Sequence, residues 1–87
     1  MDQAEQKTPV GKIVHFYDKI SVGIIELGEN LSVGDQVQIL GTSTDLTQKI
    51  DSMQFDHKEI TEGQPGMQVG IKTEQKVRVG DQVYKLN

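Results

Sequence analysis

Apolar and polar residues alternate along much of this chain with a period of two, and glycine, proline and small polar residues interrupt the alternation at short intervals. Side chains spaced in this way point to opposite faces of an extended backbone, so the pattern predicts strands. Residues 10–17 (VGKIVHFY) and 21–27 (SVGIIEL) are rich in β-branched and aromatic side chains. Asp18 and Lys19 separate them, which predicts a hairpin. Gly28, Glu29 and Asn30 break the pattern; Val37 and Ile39 resume it as far as Leu40, where GTSTD ends it again. Residues 50–55 (IDSMQF) read as a fourth strand, with Ile50, Ser52 and Gln54 on one face and Asp51, Met53 and Phe55 on the other. A charged bend and Gly63, Pro65 and Gly66 lead to a fifth strand at 67–72 (MQVGIK), and Gln82–Leu86 makes a sixth. Helical periodicity is missing, with room only for a short helical turn at 61–64. The pattern thus predicts an all-β fold, a small six-stranded closed or nearly closed antiparallel barrel.

An internal similarity sharpens the reading of the turns. LSVGDQVQIL, from Leu31, and VRVGDQVYKL, from Val77, match at six of ten positions. Two copies do not make a solenoid, so the repeat predicts one Gly-Asp turn used twice to enter a strand. Gly34 and Gly80 then hold equivalent places, and Gly70 sits inside a strand where a side chain would crowd a neighbouring wall. Residues 1–8 are polar and without period, and they stop at Pro9; they read as a flexible tail before a single barrel domain over 9–87.

Composition narrows the classes of function. An apolar fraction of 34% in 87 residues allows one small core. The absence of cysteine rules out disulfides and thiolate metal sites, and a reducing cytoplasm is the expected location. No apolar run reaches the roughly 18 residues of a membrane span, and MDQAEQKT lacks the basic and apolar regions of a signal peptide, so a soluble monomer without a membrane partner is expected. A net charge of -4 disfavours a surface dominated by phosphate contacts, although local basic patches are compatible with it.

His15 and His57 are the only imidazoles, and neither has a partner at metal-ligand spacing, so no metal and no cofactor is expected. Ser52, Asp56 and His57 supply the letters of a catalytic triad without any nucleophile elbow around Ser52, and the glycines of GQPGMQVG fit turns better than a phosphate cradle. The chain is therefore expected not to be an enzyme. A binding surface is the sharper candidate, made by His15, Phe16, Tyr17, Gln54, Phe55, His57 and Lys58, whose rings and charges suit stacking on bases or on a partner's side chains. Alternation sends either Phe16 or the pair His15 and Tyr17 inward; Phe16 is assigned to the core, and Phe55 has the parity to follow Met53.

From Pro9 to Lys85 the chain resembles the second, β-barrel domain of the translational GTPases, the elongation factor Tu-like family. SVGIIELGENLSVGDQVQI, IDSMQ, PGMQVGIK and VRVGDQVY carry the likeness. GTSTDLTQ, SMQFDHK and VGIKTEQKVRVGDQVYK are also similar to short stand-alone elongation-factor-like proteins and to the carboxyl-terminal barrel of the collagenase-like peptidase family, some members of which act in RNA hydroxylation. No G-x-x-x-x-G-K-[ST] motif occurs, so no nucleotide is expected. Where the elongation factor barrel carries acidic residues and a basic residue for aminoacyl-tRNA, this chain has Gly11 and Lys12, then Gln54 and Phe55; the polar residue before Val-Gly persists as Gln68. The resemblance implies a non-catalytic module associated with translation or RNA, with tRNA, the ribosome or an RNA-modification protein as partner. The alternative it implies is a protein-docking barrel acting in trans with an enzyme such as a collagenase-like peptidase. The binding residues expected on either reading are His15, Tyr17, Gln54, Phe55, His57, Lys58 and Gln68.

Overall fold

The computed structural model describes residues 7–86. Ten strands follow one another: β1 Lys7–Tyr17, β2 Val22–Leu27, β3 Leu31–Ser32, β4 Gln36–Leu40, β5 Asp45–Lys49, β6 Met53–Phe55, β7 Lys58–Ile60, β8 Glu62–Gly63, β9 Gln68–Lys72 and β10 Gln82–Leu86. All pairings are antiparallel. Eight strands form one sheet in the order β5-β4-β10-β1-β2-β9-β6-β7, and β3 pairs with β8 separately. The six strands read from the pattern correspond to β1, β2, β4, β6, β9 and β10; the other four are short or polar. The fold is all-β as expected. Two finer expectations are corrected. Residues 61–64 hold no helical turn, because Glu62 and Gly63 pair with Ser32 and Leu31. The supposed strand 50–55 is broken at Asp51 and Ser52, so that Ile50 and Met53, of opposite parity, are both buried.

β1 is the element that bends the sheet around its core. Its first half pairs with β10 and its second with β2, with irregularities in register between Pro9 and Gly11 and between Ile13 and His15. Each bulge adds a residue and increases the local twist, which lets one long strand change neighbours without losing its ladder. Ile13, Ile25, Val37, Ile39, Val69 and Val83 consequently point to a common interior and are fully buried. Each such side chain contributes roughly 1.5–3 kcal/mol relative to exposure. As for the supposed tail, residues 1–6 lie outside the described residues, while Lys7 and Thr8 already pair with Leu86 and Lys85.

The expected closed six-stranded barrel is corrected as well: the sheet has two ends, β5 and β7, which do not pair with each other. The connection between β9 and β10 lies beside β5 instead, and its Val77 is fully buried against the core. A side chain spans the seam. Gln48 of β5 donates through Nε2 to the Lys72 carbonyl at 2.9 Å and accepts through Oε1 from the Glu74 amide at 2.9 Å. On the other side of the same connection, the Ser21 hydroxyl donates to the Thr73 carbonyl at 2.7 Å, and the Thr73 amide donates to the Ser21 carbonyl at 2.8 Å.

The repeated motif is two copies of one clasp. Gly34 and Gly80 have φ of 98° and 96°, the region a type II turn requires at its third residue. In each copy the aspartate that follows folds back on the turn: Ser32 donates its amide to Asp35 Oδ2 at 2.9 Å, and Arg78 to Asp81 Oδ2 at 2.8 Å. Each turn then grips an isoleucine by two backbone hydrogen bonds, Gly34 and Asp35 gripping Ile50, Gly80 and Asp81 gripping Ile13.

Candidate functional site

The outer face of the sheet carries a groove of about 790 Å³ over β1, β2, β9 and β6. Its position follows from the second bulge of β1. The extra residue, Val14, resets the alternation after Ile13, so that Phe16 packs against the core while His15 and Tyr17 turn outward. Their rings touch, with centroids 4.3 Å apart and planes at 52°. Along one row of the sheet, His15 is paired with Ile24, Ile24 with Gly70 and Gly70 with Gln54. Gly70 leaves a gap in this row; a side chain there would meet the ends of Ile24 and Val22 at 3.3 Å, which bears out the crowding read from its place in a strand. The floor is thus apolar, supplied by Val22 and Ile24 of β2.

Two hairpin tips form the walls. Ile20, at the β1–β2 turn, is exposed to 57% of its surface. Opposite it, Asp56 and His57 form the two-residue turn between β6 and β7, both with positive φ, 55° and 65°. A turn of this kind is ordinarily made by Asn-Gly, Asp-Gly or Gly-Gly, so Asp56 suits its place and His57, where glycine is preferred, carries the strain. The rim is polar and uncommitted: among the described residues, the side chains of Gln54, Asp56, His57 and Gln68 have no hydrogen-bond partner and no ion pair.

Five of the seven residues expected from sequence line this groove: His15, Tyr17, Gln54, His57 and Gln68. Phe55 and Lys58 do not. They pair with each other at the end of the β6–β7 hairpin on the parity of Met53 and Ile60, and Phe55 is 40% exposed beyond the edge of the core. The apolar floor escaped the sequence reading, because Val22 and Ile24 look like core residues until the register shows which side of β2 they occupy.

Nothing assembles a triad. Ser52 lines a separate cleft with Asp51, Met53 and Glu59, away from His57. The glycines of GQPGMQVG do serve a turn: Gly66 has φ of 91°, and the Met67 amide donates to the Gln64 carbonyl at 3.1 Å. Among the described residues no group of three His, Cys, Asp or Glu side chains is placed to hold a metal ion.

No protein-family model matches the chain. It is 40% identical over 82 residues to a protein of Methanocaldococcus jannaschii named as an uncharacterized protease, a match that takes in 93% of this chain and 20% of that protein. It is 28% identical over 88 residues to a collagenase of Porphyromonas gingivalis, covering 98% of this chain and 24% of the collagenase. The chain thus spans about a fifth to a quarter of the length of the curated relatives it matches. Among solved structures, the C-terminal domain of a Geobacillus thermoleovorans protein named as a U32 peptidase superposes with a TM-score of 0.85 at 16% identity, covering all of this chain and 99% of that one. Its selenomethionine variant gives 0.82 at 15% identity. The similarity to the collagenase-like peptidases therefore stands. The elongation-factor and RNA-binding reading is corrected: these relatives are named as a protease and collagenases, and none of them is named as an elongation factor or an RNA-binding protein.

Proposed function

We propose that this chain is a non-catalytic docking module that works beside the catalytic part of a peptidase, holding it or its substrate through the groove between the two hairpin tips. The observation that carries the reading is the extent of the match: nearly all of this chain corresponds to only a fifth of a protease 40% identical to it. A unit of that size with its own core is an accessory module, and the remaining four-fifths is where the peptidase chemistry resides. The groove supports the same reading, since its polar rim has no partners within the chain and its floor is apolar, the arrangement of a surface that a partner covers.

The test is association in solution. The labelled chain is titrated with the catalytic part of a U32-type peptidase from which the matching module has been removed, and binding is followed by fluorescence anisotropy. A saturable complex is expected, weakened at least tenfold by Tyr17→Ala combined with Gln54→Ala. Absence of association, or association insensitive to that pair and lost instead on Lys12→Ala with Gln82→Ala on another face, overturns the proposal.

A further inference from the structure

Building on the docking reading, we infer that the groove receives an arginine side chain presented by an extended segment of the partner. Its lining contains one carboxylate, Asp56, and no lysine or arginine. Lys72 shares the sheet face, paired with Val22 one row beyond Gly70, but does not line the groove. Asp56 differs from Asp35 and Asp81, the aspartates of the two clasps; Asp18, in the β1–β2 turn, also has no hydrogen bond among the described residues but does not line the groove. Asp35 and Asp81 each accept a hydrogen bond from their own turn, as turn aspartates commonly do. Asp56 bonds nothing among the described residues, and it is held at positive φ on a hairpin tip that overlooks the groove.

The rest of the lining suits the other parts of the same side chain. Strands β2 and β6 flank β9, so the trough over Gly70 is roughly 10 Å across, two strand spacings. The methylene stem of the arginine would lie on Val22 and Ile24. Its planar guanidinium would have the amide oxygens of Gln54 and Gln68, besides the Asp56 carboxylate, to receive its fan of N–H donors, while the His15 and Tyr17 rings, three strands away on β1, bound the far side of the groove. A neutral apolar residue would leave those acceptors unpaired, and an acidic one would face Asp56. The sheet ends favour a side-chain insertion over strand addition: β7 has three residues, and β5 has the β9–β10 connection beside it, bonded through Gln48.

The experiment uses three blocked pentapeptides, acetyl-Ser-Ala-Xaa-Ala-Ser-amide, with arginine, citrulline or norleucine at the centre, titrated into the isotope-labelled full chain and followed by amide shifts. The arginine peptide is expected to shift Gly70, Gln54 and His57 saturably, with affinity at least tenfold above the citrulline peptide, which keeps the shape and loses the charge. Asp56→Asn should bring the arginine peptide down to the citrulline level. Asparagine tolerates positive φ, so the hairpin is retained, and an unchanged amide spectrum elsewhere confirms it. Asp51→Asn, in the separate cleft, should change nothing. Equal binding of the three peptides, shifts confined to other faces, or an Asp56→Asn protein that still prefers arginine overturns the inference. If the peptides fail in this way while the peptidase complex still forms and still depends on Tyr17 and Gln54, docking stands and the arginine assignment alone falls.

Discussion

The side chain of Gln48 is hydrogen-bonded to Lys72 as a neighbouring strand would be. Its amide donates to the Lys72 carbonyl and accepts from the Glu74 amide, both at 2.9 Å, and only 5% of the residue is exposed. A primary amide carries the same donor and acceptor as a peptide group, so one glutamine stands in for backbone pairing where the sheet fails to close.

Replacing Gln48 by alanine should therefore destabilise the domain by about 1–3 kcal/mol, since two part-buried backbone groups lose their partners together. Gln48→Glu keeps the acceptor and loses the donor when ionised. Burial should raise the introduced carboxyl above its value in the unfolded chain, so the variant binds protons more tightly when folded. Its stability should be lowest at neutral pH, rise as the pH falls toward the raised value, and level off below the unfolded one. Urea denaturation of both variants at pH 7 and pH 4 checks this, and a Gln48→Ala protein as stable as wild type would show the seam to be held by packing alone.

The two clasps are expected to respond alike to a change at glycine. Gly34→Val and Gly80→Val each force a β-branched residue to positive φ, at a cost on the order of 1–3 kcal/mol. Asparagine at either place should cost less than valine. Differential scanning calorimetry of the four variants would read each kcal/mol as a shift of roughly 4–8 °C.

At the β6–β7 tip the opposite sign is expected. Asp56→Asn with His57→Gly installs the dipeptide that this turn geometry prefers, and should stabilise the fold by about 1 kcal/mol. If the strained turn is retained for what it presents to the groove, the stabilised variant should at the same time bind the catalytic part of the peptidase less tightly. A gain in stability with docking unchanged would make the strain incidental.

Much of the architecture is legible in the sequence, and the failures have local causes. The pattern marks β2, β4 and β9 because they bury aliphatic residues at alternate places, Ile25 and Leu27, Val37 and Ile39, Val69 and Ile71, and it marks β1 and β10 by their β-branched and aromatic content. It passes over β5, where the inward residues are Leu46 and Gln48 and half the inward face looks polar. Closure of the sheet depends on what lies beside that strand, so it was misjudged with it. Strands β3, β7 and β8 have two or three residues, too few to display a period. At the groove, the alternation in residues 10–17 states that His15 and Tyr17 share a face but leaves open which one, because the bulge at Val14 shifts the count by one. The pairing of the two sides of the groove through Gly70 is a matter of register between β2, β9 and β6, which no short motif encodes.

Removing charge from this end of the sheet should also have a visible effect. Asp45→Thr with Lys49→Val would leave β5, a terminal strand with the β9–β10 connection beside it, without its outward charges. The fold should survive, while light scattering rises with concentration and heating well before the wild type does. No change in scattering would mean that the edge is already covered.

The identical chemistry of the two clasps conceals a difference in timing. The turn at Gly34 grips Ile50, sixteen positions along the chain, whereas the turn at Gly80 grips Ile13, sixty-seven positions back. Bringing the second pair together costs about 1.3 kcal/mol more in chain entropy than the first. The Gly34 clasp can therefore close while most of the chain is still unfolded, and the Gly80 clasp only after the intervening strands have shortened the path. A weakened first clasp should slow refolding, and a weakened second one should chiefly hasten unfolding. One turn, written twice, is thus expected to serve as an early nucleus at one place and as the last latch at the other.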